Sequence, residues 1–125
     1  MNYLLDTSVV LWALKYPERL GKRARKILAE EDLYISVVSI WEMIIKVRSG
    51  KLRIPLPAKE VYSLLKCLEL PVNLSHVDQI MDVKLPQKDP FDTMLVAQAK
   101  VEDMTLLTTD MKILDSPYPA FNAKL

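Results

Sequence analysis

Four acidic residues stand where the sequence pattern puts the end of a strand or the start of a helix. They are Asp6, Glu42, Asp92 and Asp110. Each also has a purely structural explanation, because a carboxylate at such a place can cap a helix or complete a turn. Glu42, for example, follows Ser39 by three residues, which is the spacing of a capping box. The four acids become informative only when their positions are considered together.

In a parallel α/β unit, the carboxyl ends of the strands and the starts of the following helices share one edge of the sheet, so these acids can meet there. Carboxylates gathered at one point repel one another and raise one another's pKa values. A bound cation removes that repulsion, and Mg²⁺ and Mn²⁺ are ions that prefer oxygen ligands. His76 and Cys67 are the only histidine and the only cysteine. The composition therefore favours Mg²⁺ or Mn²⁺ over zinc.

The chemistry that such a site supports is hydrolysis of a phosphodiester. A metal ion lowers the pKa of a bound water, orients it for in-line attack and neutralises charge on the phosphoryl oxygens. The sequence offers no serine–histidine or cysteine–histidine pair for a covalent route. It also has no glycine-rich phosphate loop for nucleoside triphosphate chemistry. Water is therefore the expected nucleophile.

Length and composition predict a single domain covering residues 1–125, with 50% apolar residues available for a core. The net charge of +1 attracts no nucleic acid globally, so any basic surface must be local. A single cysteine excludes an internal disulfide and suits a reducing compartment. We find neither a signal-peptide pattern nor an apolar run long enough to span a bilayer. We therefore expect a cytoplasmic protein that does not associate with membranes.

Short apolar runs alternate with segments of helical periodicity, which is typical of an α/β protein with a parallel sheet. The predicted strands are 3–5, 33–36, 70–74, 105–109 and a short one near 118–121. The predicted helices are 7–14, 20–28, 39–48, 58–69, 75–85 and 90–102, with Thr7 capping the first of them and a proline-flanked segment at 54–57 before the fourth. Asp6 and Asp110 each directly follow a predicted strand.

Four stretches of sequence carry these acids together with distinctive neighbours. They are Leu4-Leu5-Asp6-Thr7-Ser8, then SVVSIWE from Ser36 to Glu42 with Lys46 and Gly50-Lys51-Leu52, then Asp89-Pro90-Phe91-Asp92 with Ala97-Gln98-Ala99, and finally Leu107-Thr108-Thr109-Asp110. In this order and spacing they resemble PIN-domain proteins. More narrowly they resemble the VapC-type toxins of bacterial and archaeal toxin–antitoxin pairs. The resemblance spans nearly the whole chain.

This resemblance implies a three-layer α/β/α sandwich around a parallel sheet of four to five strands. It implies an endoribonuclease that depends on Mg²⁺ or Mn²⁺, a homodimer, and a partner antitoxin that inhibits the enzyme. By motif, the acidic quartet of the family corresponds to Asp6, Glu42, Asp92 and Asp110. Within that quartet, the expected metal ligands are Asp6, Asp92 and Asp110.

The resemblance also implies three auxiliary residues. Asp89 is expected to be an additional acid, and Thr7 and Thr108 are expected to orient carboxylates or water. Members of the subgroup with Asp-Pro-Phe-Asp often carry a histidine where this chain has Gln87, which leaves a role for that side chain open.

Contacts to RNA are predicted for Lys46 and Arg48, which lie close to Glu42 along the chain. A basic cluster could bind phosphates, although a solvated helix face explains it more simply; it comprises Arg19, Lys22, Arg23, Arg25 and Lys26. Apolar neighbours place Trp12 and Trp41 in the core rather than against bases.

Two further residues have structural interpretations. Cys67 is predicted to be a buried helix residue because leucines surround it, and His76 is predicted to be structural because it follows Ser75 at a helix start.

Other kinds of protein share parts of this pattern. A PIN nuclease that processes RNA or cleaves DNA without an antitoxin would have the same acids; a small upstream reading frame for a DNA-binding antitoxin would distinguish the toxin from it. A non-catalytic interaction module would have a defunct site, which four intact acids argue against. A phosphoacceptor signalling domain needs an acidic pair after the first strand, where Asp6 is followed by Thr7 and Ser8. A haloacid-dehalogenase-like phosphatase needs a second aspartate in place of Ser8.

Overall fold

Five strands alternate with helices along the chain in the computed structural model, which describes residues 1–54 and 57–125. The strands are β1 (Asn2–Leu5), β2 (Asp32–Ser36), β3 (Leu68–Leu70), β4 (Thr105–Thr108) and β5 (Ala120–Asn122). They form one sheet in the order β3-β2-β1-β4-β5, and every neighbouring pair is parallel. The predicted parallel sheet is therefore confirmed.

Seven α-helices connect these strands within the described residues. They are α1 (Thr7–Lys15), α2 (Lys22–Glu30), α3 (Val37–Arg48), α4 (Ala58–Leu65), α5 (Leu74–Gln79), α6 (Pro90–Val101) and α7 (Met111–Leu114), with 3₁₀ turns at Pro17–Arg19 and Ile80–Asp82. None of these helices combines the length and the apolarity that crossing a bilayer requires.

Helices cover both faces of the sheet. Alternate strand residues point to opposite sides, so each face presents apolar side chains to the helices that cover it. One face packs against α1 to α4 and contributes Tyr3, Leu5, Leu33, Ile35 and Leu107. The other packs chiefly against α6 and α7 and contributes Leu4, Leu70 and Leu106. Leu4, Leu5 and Leu107 are completely buried, and each such side chain contributes about 1.5–3 kcal/mol. The predicted α/β/α sandwich is confirmed.

The order of the strands places a crevice between β1 and β4. The chain builds the sheet outwards from β1 to β3, and then returns to the other side of β1 for β4 and β5. Adjacent connections leave this point on opposite faces of the sheet, and ligands of open α/β sheets bind at the carboxyl ends of the strands at such a reversal. The register pairs Leu5 with Leu107, so Asp6 and Thr108 follow side by side at that edge.

Helix α3 begins earlier than predicted. Ser36 is its N-cap, and the Ser36 hydroxyl accepts a hydrogen bond from the backbone N–H of Val38 at 3.0 Å. The predicted start at Ser39 is therefore wrong, because the buried apolar residues that define the inward face begin at Val38. Glu42 lies at the sixth position of the helix and is too far along it to close a capping box with Ser39.

The segment after α4 also differs from the prediction. The helix predicted for 58–69 ends at Leu65, because Lys66 adopts a left-handed conformation with φ 55° and ψ 45°. Strand β3 then pairs Leu68 with Tyr34, two residues before the strand predicted at 70–74. Cys67 is buried as predicted, but it lies between helix and strand. The predicted segment 54–57 lies partly outside the described residues.

Three further differences concern caps and helix lengths. The carboxylate of Asp6, rather than Thr7, caps α1. The helix predicted for 75–85 is the short α5 followed by a 3₁₀ turn. The prediction for His76 is confirmed: its ring is fully buried, its Nδ1 accepts from the Asn73 N–H at 3.1 Å, and its Nε2 lies 2.6 Å from Glu102.

Candidate active site

Asp6 is the most buried of the four acids, with 5% of its surface exposed. Its Oδ1 accepts the backbone N–H of Thr7 at 2.8 Å, and this bond caps α1. Its Oδ2 accepts the hydroxyl of Thr108 at 2.6 Å and that of Ser8 at 3.4 Å. Capping therefore holds the carboxylate rigidly at the edge where β1 ends. The Asp6 side chain is both the cap of α1 and a candidate metal ligand.

Thr108 connects two of the acids. Its buried hydroxyl donates to Asp6 and accepts the backbone N–H of Asp110 at 3.0 Å. Asp110 in turn caps α7, since its Oδ1 accepts the N–H of Lys112 at 2.9 Å. The hydroxyl at the end of β4 thus contacts the side chain of one acid and the backbone of the other.

The start of α6 brings two more carboxylates. Asp89 is the N-cap, and its Oδ1 accepts the N–H groups of Phe91 at 2.8 Å and Asp92 at 3.2 Å. Pro90 takes the first helical position, where a missing N–H costs nothing. Asp92 follows at the third position, partly buried, with its carboxylate unused by the cap.

Glu42 extends from α3 towards the same edge. Its side chain is 14% exposed and its Oε2 lies 3.3 Å from Lys46 Nζ, one turn further along the helix. A cleft of about 460 Å³ is lined by both residues together with Gln87, Lys88 and Asp89. Arg48 is exposed and lies about 200° around the helix from Lys46. Arg48 is therefore not among the residues that line this cleft.

The charges of the acids act on one another. Burial raises the pKa of the Asp6 carboxyl, hydrogen bonds from Thr108 and Thr7 oppose that rise, and the charges of Glu42 and Asp110 add to it. Burial, as the largest cause, and the charges of the neighbouring acids together raise the pKa of Asp92 to about 7; in decreasing order of effect these acids are Asp6, Asp89, Asp110 and Glu42. The structure thus brings Asp89 and the other three predicted acids within electrostatic range of Asp92.

The donor set fits a hard divalent cation. Every candidate ligand is a carboxylate oxygen, and the raised pKa of Asp92 reflects both its burial and a negative potential that a cation would relieve. Within residues 1–54 and 57–125, no three acidic, histidine or cysteine side chains already form a metal-binding group. Mg²⁺ does not require a preformed cage, because it commonly binds through one or two carboxylates and keeps several waters.

Hydroxyl groups around Asp6 form a network that the sequence did not reveal. The Thr7 hydroxyl donates to Ser39 Oγ at 3.0 Å, so Thr7 orients Asp6 through its backbone N–H and not through its side chain. The Thr109 hydroxyl donates to Ser8 Oγ at 3.0 Å. The local sequence signal for this network is the pair Thr7-Ser8 directly after Asp6.

Gln87 also has a contact that the sequence could not predict. Its side-chain oxygen accepts a hydrogen bond from Lys112 Nζ, which links the loop before α6 to α7. It lines the acidic cleft beside Lys88.

Replacing Thr108 with valine tests the hydroxyl bridge. The substitution keeps the shape but removes the donor to Asp6 and leaves the N–H of Asp110 without its acceptor. We expect the hydrolytic activity that the sequence predicts to fall about 10- to 100-fold, as for the loss of a residue that orients a metal ligand. We expect the free energy of unfolding to fall by about 1–3 kcal/mol. Thr105→Val at the other end of β4 is the control; equal activities of the two variants would contradict the assignment.

Comparisons with known proteins agree with this geometry. The family model of the PIN domain matches residues 3–116. No curated protein matches the sequence. Among solved structures, VapBC2 from Rickettsia felis bound to a DNA fragment from their promoter contains a chain with a TM-score of 0.69 and 16% identity, and the match covers 98% of both chains.

Two further structures have the same fold. DNA-bound VapBC from Salmonella typhimurium gives a TM-score of 0.69 at 15% identity, with 98% of both chains covered. FitAcB from Neisseria gonorrhoeae gives 0.64 at 20% identity, with 97% of both chains covered. The TM-scores and the coverage establish a shared fold. The family model, which covers nearly the whole sequence, establishes the family. The chain therefore belongs to the PIN domain family, whose members are nucleases.

Proposed function

We propose that this protein is an endoribonuclease that depends on Mg²⁺ or Mn²⁺ and acts as the toxin of a type II toxin–antitoxin pair. The observation that carries the proposal is the electrostatic coupling of Asp6, Glu42, Asp92 and Asp110 at the reversal point of a parallel sheet. Membership of a nuclease family supports the reaction class. The unit that carries out this function is a single domain, residues 1–125.

Each acid has a role that follows from its surroundings. Asp6, Asp92 and Asp110 would hold the ion, Asp6 most rigidly because it is fixed by Thr7 and Thr108. The bound ion supplies a water of lowered pKa and neutralises charge on the phosphoryl oxygens. Glu42 can accept a proton from the attacking water, and Lys46 holds its carboxylate in place. Asp89 keeps Asp92 oriented through the cap of α6.

The toxin assignment and the partners rest on other observations. The similar structures are the complexes VapBC2, VapBC and FitAcB, which supports an antitoxin partner for this chain. Large apolar side chains stand exposed on α5 and the turn after it, with Leu74 81% and Met81 83% exposed. Such surfaces are typical of protein contacts, and this one supports a homodimer.

Purified protein should cleave single-stranded RNA when Mg²⁺ or Mn²⁺ is present and stop when EDTA is added, because repelling carboxylates cannot position the water without the ion. The measurement is gel electrophoresis of an end-labelled RNA, with a DNA of the same sequence in parallel. Recovery of activity on adding excess Mg²⁺ after EDTA is the control. Cleavage that persists in EDTA would contradict the metal dependence, and cleavage of the DNA alone would point to a deoxyribonuclease.

A further inference from the structure

An apolar pocket of about 580 Å³ adjoins the acidic cleft. Pro90 and Phe91 line both the pocket and the cleft, so the two are continuous across the start of α6. Trp41, Phe91 and Met94 form the pocket together with aliphatic side chains, and the volume is within the range of about 300–1,000 Å³ that small-ligand sites have. The roles assigned to the acids make no use of this pocket.

Trp41 is the exposed wall of this pocket. It was predicted to lie in the core, but 59% of its surface is exposed. The prediction is wrong because Ile40 and Met43 take the inward face of α3, and Trp41 projects beyond that face. Its ring meets Phe91 edge-on, with centroids 5.2 Å apart and an angle of 73° between the planes. This contact leaves a large part of the indole accessible, directly next to Glu42 in the chain.

Lysines surround the mouth of the adjoining cleft. Lys46 and Lys88 line it, and Lys112 reaches its wall through Gln87. A second groove, which shares Gln87, Lys88 and Pro90 with the cleft, adds Lys84. A phosphate chain that approaches four carboxylates needs such cations, because the carboxylates repel it until a metal ion is bound.

We propose that the Trp41–Phe91 pocket receives an unstacked nucleobase of single-stranded RNA beside the bond to be cleaved, while Lys88 and Lys112 hold the neighbouring phosphates. The proposal rests on the proposed ribonuclease function and names how that site engages its substrate. Exposed aromatic rings next to a basic groove are a general means of binding single strands, because every base presents a flat face for stacking. The pocket's continuity with the acidic cleft favours a base, because an occupant of the pocket would lie beside the bond to be cleaved.

The test uses the fluorescence of Trp41 in EDTA, which allows binding to be measured without cleavage. Trp12→Phe removes the other tryptophan. An eight-nucleotide RNA should quench the remaining fluorescence, whereas the same RNA annealed to its complement should not, because its bases are stacked. A DNA of the same sequence shows whether the sugar contributes. In anisotropy measurements with labelled RNA, Trp41→Ala should weaken binding about tenfold or more and Trp41→Phe much less.

Ile44→Ala is the matched control, because Ile44 lies on the same helix, is 49% exposed and lines a different groove. It should bind RNA as tightly as the unaltered chain. Lys88→Ala should reduce the dependence of binding on salt, and Lys59→Ala in α4 should not. If the Trp41 fluorescence changes when the protein is diluted but does not change when RNA is added, the proposal is overturned. The pocket then belongs to a contact with a second copy of the chain. If the unaltered chain cleaves RNA and Trp41→Ala binds RNA as tightly as it does, the base pocket alone is overturned. If the unaltered chain does not cleave RNA in Mg²⁺ or Mn²⁺, the ribonuclease function is overturned.

Discussion

Replacing Asp92 with asparagine is expected to lower RNA cleavage by about 100- to 1,000-fold, the scale of losing one group that stabilises developing charge. The carboxylate of Asp92 is partly buried, carries the charge influence of all the other acids and takes no part in the cap of α6. Asparagine has nearly the same shape, so Asp89 continues to cap the helix and the fold is retained. The loss therefore reports chemistry rather than folding.

Asp92 is a cleaner test than Asp6. An asparagine at position 6 would present an NH₂ group to the hydroxyl of Thr108, which already accepts from the N–H of Asp110. The matched control is Asp32→Asn, since Asp32 is an exposed aspartate at the opposite end of the sheet, where β2 begins. Initial rates on an end-labelled RNA give the comparison. Full activity of Asp92→Asn would exclude it from the site.

The metal-free protein should become less stable as the pH rises from 4 to 8. Burial and the neighbouring acids raise the pKa of Asp92 to about 7 from its ordinary value of 3.8. The folded state therefore holds a proton that the unfolded chain releases. The resulting stabilisation is fully present below about pH 4 and is lost as the pH passes through 7.

The size of this effect follows from the same shift. About three pKa units correspond to about 4 kcal/mol at most, and partial exposure of Asp92 to solvent reduces this to about 2 kcal/mol. For a chain of this length that is about 8 °C in the midpoint of thermal unfolding. Asp92→Asn should remove most of the pH dependence and make the metal-free protein more stable than the unaltered chain at pH 8.

Mg²⁺ should reverse the loss at pH 8, because an ion that binds only the folded state stabilises it by mass action. Thermal unfolding in EDTA and in Mg²⁺, at pH 4 and pH 8, measures both effects. Asp32→Asn again serves as control and should keep the pH dependence. Equal stabilisation of Asp92→Asn and the unaltered chain by Mg²⁺ would show that the ion binds elsewhere.

Local sequence determined the elements on which the site depends. The apolar run before Asp6 is a strand, and the Asp89-Pro90 pair is a cap and first helical residue because each residue type suits that place. Cap preferences and periodicity act over a few residues, so they can be inferred without the fold. Two of the wrong predictions also have local causes: Ser36 and Ser39 suit a cap equally, and apolar spacing continues past Lys66, where the helix ends.

Tertiary structure alone decided which residues meet. Thr108 donates to Asp6 across 102 positions of sequence because β4 returns to pair with β1. Strand order and register depend on packing between distant segments, which leave no local pattern. Tertiary packing also decided the exposure of Trp41. Its apolar neighbours in the sequence predicted burial, but its position on α3 leaves it exposed. The sequence therefore specified three carboxylates at the ends of elements and a fourth, Glu42, which lies within α3. The strand order brought them to a single edge of the sheet as one candidate site.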